Sequence, residues 1–261
     1  MKELENVKVF LFDLDGTVYL GGNLIGDVKN TLNKIRAKGV KVGFLTNNSS
    51  TTKESYFVKL KNLGVFFDGD FFYSSLDCAA DYLLDKNREG KIFALATEKV
   101  KEHVKSRGLN VVDDENSANV FLLTFDKELT YEKLVKANRL LGKKDVLYIA
   151  THPDSVCPTE NGSIPDVGSF TELLSCSSGR RPDVITGKPY GVLAEYIMKK
   201  LGVKSDEICM VGDRLYTDIA FGENSGMKTV LVLSGETKEE DLKSSTVSPT
   251  LVLPDVNSIQ V

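Results

Sequence analysis

The sequence contains no apolar run approaching the 18 or so residues that span a bilayer. Neither sign of charge dominates. The 33 Lys+Arg against 37 Asp+Glu leave a net of −4, which excludes the basic footprint of a nucleic-acid binder or of a protein held on an anionic membrane. The four cysteines, Cys78, Cys157, Cys176 and Cys209, are widely spaced and form no Cys-x-x-Cys pair. That argues against a disulfide framework or a zinc ribbon, and for reduced thiols in a cytoplasmic setting. Only two histidines are present, His103 and His152, too few for a His-rich metal site. Proline is scarce, at 7 residues, and 41% of the chain is hydrophobic, unlike a disordered chain. Met1–Val7 is too acidic and polar to read as a secretory signal. No Walker loop, GxGxxG, GxSxG elbow or HExxH helix occurs. ATPase, dehydrogenase, serine hydrolase and zinc protease readings therefore lack support.

What is present is a rhythm. The 261 residues suggest one large domain or two small ones. Size scaling predicts burial of about 73% of the unfolded surface, ample for a core without staples. Near-continuous apolar runs alternate with amphipathic stretches. Val7–Phe12 and Val40–Thr46 read as strands, Asp27–Gly39 and Thr52–Gly64 as helices closed by glycine. Phe71–Tyr73 reads as a short strand before a helix near Leu76–Leu84. The alternation restarts over Lys91–Thr151, breaks in the polar, turn-rich stretch Pro153–Phe170, and resumes from Pro182 to Leu233. This pattern predicts an α/β fold with a parallel sheet covered on both faces.

In such folds sites lie beyond the carboxyl ends of strands. Four segments there carry chemistry: Asp13-Leu14-Asp15-Gly16-Thr17, Thr46-Asn47-Asn48, Gly187-Lys188-Pro189, and Gly212-Asp213 with Asp218 five residues on. Each alone reads equally as a turn or a cap. Together they form a coherent set for a phosphate ester. Asp13 and Asp213 are hard oxygen ligands suited to Mg²⁺. A carboxylate can attack phosphorus and form an aspartyl-phosphate. Asp15 can serve as acid to the leaving oxygen and then as base to water. Gly16 permits the turn that returns both aspartates to one place. The Thr46 hydroxyl and the Lys188 ammonium can hold phosphoryl oxygens.

The set resembles the haloacid dehalogenase superfamily. The matching motifs are DLDGT (Asp13–Thr17), LTNN (Leu45–Asn48), GKP (Gly187–Pro189) and VGDRLYTDI (Val211–Ile219). With DLDGTVYLG and LTNNSS they look like the NagD-like branch, often called p-nitrophenyl phosphatases. The resemblance covers nearly the whole chain. It implies a Rossmannoid parallel-sheet core, Mg²⁺, and phosphatase action with Asp13 as nucleophile and Asp15 as acid/base. It also implies that Asp213 and the main-chain carbonyl of Asp15 join Asp13 at the metal, and that Asp218 supports the metal shell. Thr46 and Lys188 would hold phosphate, with Asn47 beside them as a substrate-binding candidate. An acidic residue at position 15 favours a phosphatase or mutase over a dehalogenase or an ATPase pump.

Thr46 and Lys188 belong to one site yet lie far apart in the chain. The resemblance implies that much of the intervening chain is an inserted α/β cap. The expected division is 1–80 as the first part of the core, 81–181 as the cap and 182–261 as the second part. A cap excludes water and favours small phosphorylated metabolites, with substrate choice expected in Thr151–Phe170. There the branch usually reads Asn-Pro-Asp, whereas this chain has His152-Pro153-Asp154. His152 reads either as a solvated loop residue or as a substrate contact. Arg180 and Arg181 read as an anion grip or a solvated hinge, and His103 as a residue on a polar helix face. No nucleic-acid or membrane partner is expected, and a homodimer is left open. Two other classes fit less well. A phosphorylation-dependent signalling receiver is about half this length and has its acidic pair before the phosphoacceptor. A catalytically silent phosphate-binding protein would not need every catalytic position filled.

Overall fold

The computed structural model describes residues 2–159 and 161–260. Along the chain the elements are β1 (Val9–Phe12), β2 (Tyr19–Leu20), β3 (Asn23–Leu24), α1 (Val28–Ala37), β4 (Lys41–Thr46), α2 (Lys53–Asn62), β5 (Phe71–Ser74) and α3 (Ser75–Lys86). There follow β6 (Lys91–Leu95), α4 (Glu98–Ser106), β7 (Asn110–Val111), β8 (Val120–Leu123), α5 (Tyr131–Leu141) and β9 (Leu147–Ala150). Then come β10 (Val156–Thr159), β11 (Gly162–Pro165), α6 (Val167–Ser178), β12 (Val184–Ile185), α7 (Gly191–Leu201), β13 (Ile208–Gly212), α8 (Ala220–Asn224), β14 (Lys228–Val232) and β15 (Leu251–Leu253).

The chain divides into two compact units. The first comprises Met1–Thr46, Glu54–Tyr73 and Lys188–Val261. Its sheet runs β15-β14-β13-β1-β4-β5. β1 pairs in parallel with both β13 and β4, which makes it a central strand. That position explains its composition: all four residues of VFLF are buried, as expected where helices cover both faces. Each such side chain is worth about 1.5–3 kcal/mol on burial. Helix α1 turns Val28, Leu32 and Ile35 inward at helical spacing, into the core that holds Phe10, Phe12 and Phe44.

The second unit comprises Asn47–Lys53 and Ser74–Gly187. It has its own sheet, β12-β9-β8-β6-β7, with parallel pairing throughout. Separate apolar clusters contain Phe121, Tyr148 and Leu174 on one side, and Leu83, Val100 and Leu122 on the other. The fold is thus a parallel-sheet α/β core with an inserted α/β unit.

The insertion is larger than 81–181. Helix α3 packs Leu76, Ala79, Ala80 and Leu83 with Ile92, Val120 and Ile149, so the second unit begins before position 81. β12 pairs with β9, so it extends past 181. The segment Asn47–Lys53 also belongs to it: Ser49 Oγ lies 2.8 Å from Thr151 Oγ1 and accepts from the Phe125 N–H at 2.9 Å. The turn-rich stretch expected over Pro153–Phe170 contains the antiparallel hairpin β10–β11 and the start of α6. The residues of the two hairpin strands are mostly exposed, so no apolar run marks them. The hairpin β2–β3 is too short to leave a pattern. His103 is buried, 4.0 Å from Asp77, and not on a polar face. Among the described residues no helix is long and apolar enough to cross a membrane.

Candidate active site

The registers of β1, β4 and β13 align their carboxyl ends. Phe12 stands opposite both Phe44 and Val211. Asp13, Thr46 and Asp213 therefore leave the same sheet edge. The Asp13 N–H still bonds the Val211 carbonyl, at 2.9 Å, so the strand sets its direction. The chain then turns back through Gly16, at φ +86°. A Cβ at Gly16 would stand 2.5 Å from Asp213 Oδ2. Both the left-handed backbone and the close approach require glycine here.

Three carboxylates converge at this edge. Asp13, Asp213 and Asp218 each present an oxygen, and these oxygens lie within 4.8 Å of one another. Asp218 arrives through a one-turn π-helix, Leu215–Ile219. Lys188, just before α7, is 2% exposed. Its Nζ donates to Asp13 Oδ1 and to Asp218 Oδ1, both at 2.5 Å. Burial opposes the charge on Lys188, but Asp13 and Asp218 outweigh it and hold the ammonium above its ordinary value. The Asp13 carboxyl is pushed well up by burial, with Asp218 and Asp213 adding to the effect and Lys188 opposing it. Asp213 is pushed up to about 6 by burial and by Asp218. One ammonium thus faces three acids, and the excess negative charge is what a divalent cation would neutralise. The donor set is all oxygen, which fits Mg²⁺ better than a soft metal.

Asp15 lies in the turn and is exposed. Beneath it Tyr19 is fully buried, and burial together with the Asp15 charge pushes its phenol up. Lys59 Nζ stands 3.6 Å from the Tyr19 ring centroid. Thr46 ends β4 and is 4% exposed. Asn47 belongs to the second unit, where its Nδ2 donates to Asp154 Oδ2 at 3.2 Å.

His152 lies in the loop between β9 and β10 but is not solvated. It is 0% exposed, with Nδ1 3.6 Å from Asp154 Oδ2 and Nε2 3.5 Å from Asp166 Oδ1. Arg181 forms a bidentate pair with Glu172, at 2.6 and 2.7 Å. Arg180 Nη2 donates to the Val146 carbonyl at 3.1 Å and to Asp183 at 3.3 Å. Both guanidiniums are engaged within the second unit.

Several further groups donate to the carboxylates. Thr17 Oγ1 donates to Asp213 Oδ1 at 3.2 Å. The main-chain N–H groups of Glu236 and Arg214 donate to Asp213 Oδ2 and Asp218 Oδ2, at 2.7 and 3.1 Å. Thr17 was in view in the DGT turn. A main-chain donor such as Glu236 leaves no trace in residue type.

Comparison with known proteins places the chain in a family. Residues 10–110 match the model for the haloacid dehalogenase-like hydrolases, and residues 185–259 match a second, HAD-hydrolase-like model. An acid sugar phosphatase of Staphylococcus haemolyticus is 33% identical over 254 residues, 97% of this chain and 95% of that protein. The crystal structure of a 4-nitrophenylphosphatase from Thermotoga maritima has 39% identity and a TM-score of 0.92, covering 97% of this chain and 96% of that one. A p-nitrophenyl phosphatase from Archaeoglobus fulgidus has 28% identity and a TM-score of 0.89, covering 96% and 97%. The chain belongs to the haloacid dehalogenase-like hydrolases and is a phosphatase of their NagD-like, p-nitrophenyl phosphatase branch.

Proposed function

We propose that this chain hydrolyses small phosphate monoesters, sugar phosphates among them, with Mg²⁺ as cofactor and an aspartyl-phosphate intermediate on Asp13. The observation that carries the reading is the meeting of Asp13, Asp213 and Asp218 with the buried Lys188. Acid sugar phosphatase and 4-nitrophenylphosphatase relatives support the substrate class.

Asp13, Asp213 and the Asp15 carbonyl would hold the cation, with Asp218 supporting the shell. When bound, the cation neutralises charge between carboxylate and phosphate. Asp13 attacks phosphorus while Asp15 gives a proton to the leaving oxygen. Asp15 then takes a proton from water, which attacks the phosphorus of the aspartyl-phosphate and frees Asp13. The Thr46 hydroxyl and the Lys188 ammonium hold the phosphoryl oxygens as charge shifts onto them. By its resemblance to the family, the second unit would serve as a cap that limits access to small esters.

A panel of sugar phosphates, nucleoside monophosphates and p-nitrophenyl phosphate, assayed for phosphate release with and without Mg²⁺, tests this. The expected result is metal-dependent release, lost after stripping and restored by Mg²⁺. Full activity in excess chelator would overturn the metal assignment.

A further inference from the structure

The segment after β14 runs back over the carboxylates. Ser234 Oγ donates to the Gly16 carbonyl at 2.8 Å. The Glu236 N–H donates to Asp213 Oδ2 at 2.7 Å, and the Thr237 N–H to the Asp213 carbonyl at 3.2 Å. Gly235 passes so close that a Cβ there would fall on the Asp213 carboxylate. One side of Asp213 is therefore closed by main chain.

The Glu236 side chain ties this segment to a second one. Its Oε1 accepts from Tyr216 Oη at 2.6 Å, and its Oε2 lies 2.9 Å from Arg214 Nε in an ion pair. Arg214 and Tyr216 lie between Asp213 and Asp218, and the Arg214 N–H donates to Asp218 Oδ2. Both carboxylates thus take a main-chain hydrogen bond from a residue whose side chain enters the same junction.

We infer that Glu236, Arg214 and Tyr216 form a latch that positions Asp213 and Asp218 for the divalent cation. The inference rests on the cation reading proposed above. The three are positioning residues, since they hold the main chain that aims the carboxylates. Groups that orient ligating carboxylates typically alter metal affinity 10–100-fold when removed. The junction is partly exposed, with the Glu236 side chain at 44% and Tyr216 at 56%. Such pairs add little to global stability, so its effect falls on the loop it ties down.

Charge separates this from a simple field effect. If Arg214 acted only through its charge, its removal would tighten cation binding. If it acts through the latch, its removal loosens Asp213 and Asp218 and weakens binding. Tyr216→Phe changes no charge and removes one hydrogen bond.

The test is calorimetric titration of Mg²⁺ into the full, substrate-free chain. Arg214→Met and Tyr216→Phe should each weaken Mg²⁺ binding, by about 10-fold, with the melting temperature near that of the unsubstituted chain. Glu236→Gln, which keeps an acceptor for Tyr216, should fall between the unsubstituted chain and Glu236→Ala. Tyr216→Phe added to Glu236→Ala should cost nothing further. Tighter binding in Arg214→Met, or unchanged binding in a folded Tyr216→Phe, would overturn the latch. If the unsubstituted chain binds Mg²⁺ and Asp213→Asn abolishes it, that failure belongs to the latch alone. If the unsubstituted chain binds no Mg²⁺, the cation reading and the latch fall together.

Discussion

At the scale of single residues, the site is governed by unequal charge. Lys188 is the ammonium that two of the three clustered carboxylates share. Removing one partner of a buried pair leaves the other charges uncompensated. Lys188→Met should therefore lower kcat by about 10²–10³-fold, the usual loss for one preorganised donor to a developing anion. Lys188→Arg should not restore it, because a planar fork cannot replace a compact ammonium between two oxygens. Steady-state kinetics with p-nitrophenyl phosphate would read this, and near-normal kcat in Lys188→Met would remove Lys188 from the phosphoryl site. Asp13 and Asp15 should fail differently. Asp13→Asn should give no phosphoenzyme. Asp15 is assigned to proton transfer, worth about 10²–10⁴-fold. Nitrophenolate leaves without much protonation, whereas a sugar alkoxide does not. Asp15→Asn should slow phosphoenzyme formation more for an alkyl phosphate, and a rapid-quench trace should show a nitrophenol burst before slow turnover. Equal losses with both esters and no burst would move the acid/base role elsewhere.

At the scale of elements, strand ends and helix caps decide where acids stand. The edge formed by β1, β4 and β13 was legible because buried parallel strands read as unbroken apolar runs. The placement of Asp166 was not. It caps α6, accepting from the Val167 N–H at 2.7 Å, and faces His152 and Asp154. Burial pushes its carboxyl up to about 6, with His152 and Lys127 opposing and Asp154 adding. Between the ordinary carboxylate value and about 6, the folded chain binds more protons than the unfolded one. The contribution of Asp166 to stability is thus largest below that window and declines as pH rises through it, by up to about 3 kcal/mol. Asp166→Asn keeps a capping oxygen and does not titrate. Its stability relative to the unsubstituted chain should be higher at pH 7 than at pH 4.5. Urea unfolding at the two pH values would show this, and a difference independent of pH would show that Asp166 does not titrate there.

At the scale of the whole molecule, two sheets with separate apolar clusters predict two folding units. Replacing Ser74–Gly187 with a short linker should leave a cooperatively unfolding α/β protein, because β1, β4, β13, β14 and β15 pair among themselves. Aggregation at every linker length tried would show that the first unit depends on the second. Excision at 81–181 should do worse, since it leaves the first half of α3, with Leu76, Ala79 and Ala80, stripped of the partners it packs against.

The sequence by itself determined which candidate residues stand together at the sheet edge. Asp13, Thr46 and Asp213 stand at the ends of buried apolar runs, and a chain that alternates such runs with amphipathic helices brings those strand ends to one edge. It also determined that the insertion was domain-sized, since Lys91–Thr151 repeats the alternation. Only the tertiary structure decided that Lys188 bridges Asp13 and Asp218, that α3 and Asn47–Lys53 belong to the second unit, and that His152 is buried between two acids. Those outcomes depend on which surfaces meet across long stretches of chain, and residue type and spacing do not encode that. The same holds for Glu236. Its main-chain N–H reaches Asp213 only because β14 lies beside β13 in a particular register, and a glutamate in a polar loop looks like any other until that register is known.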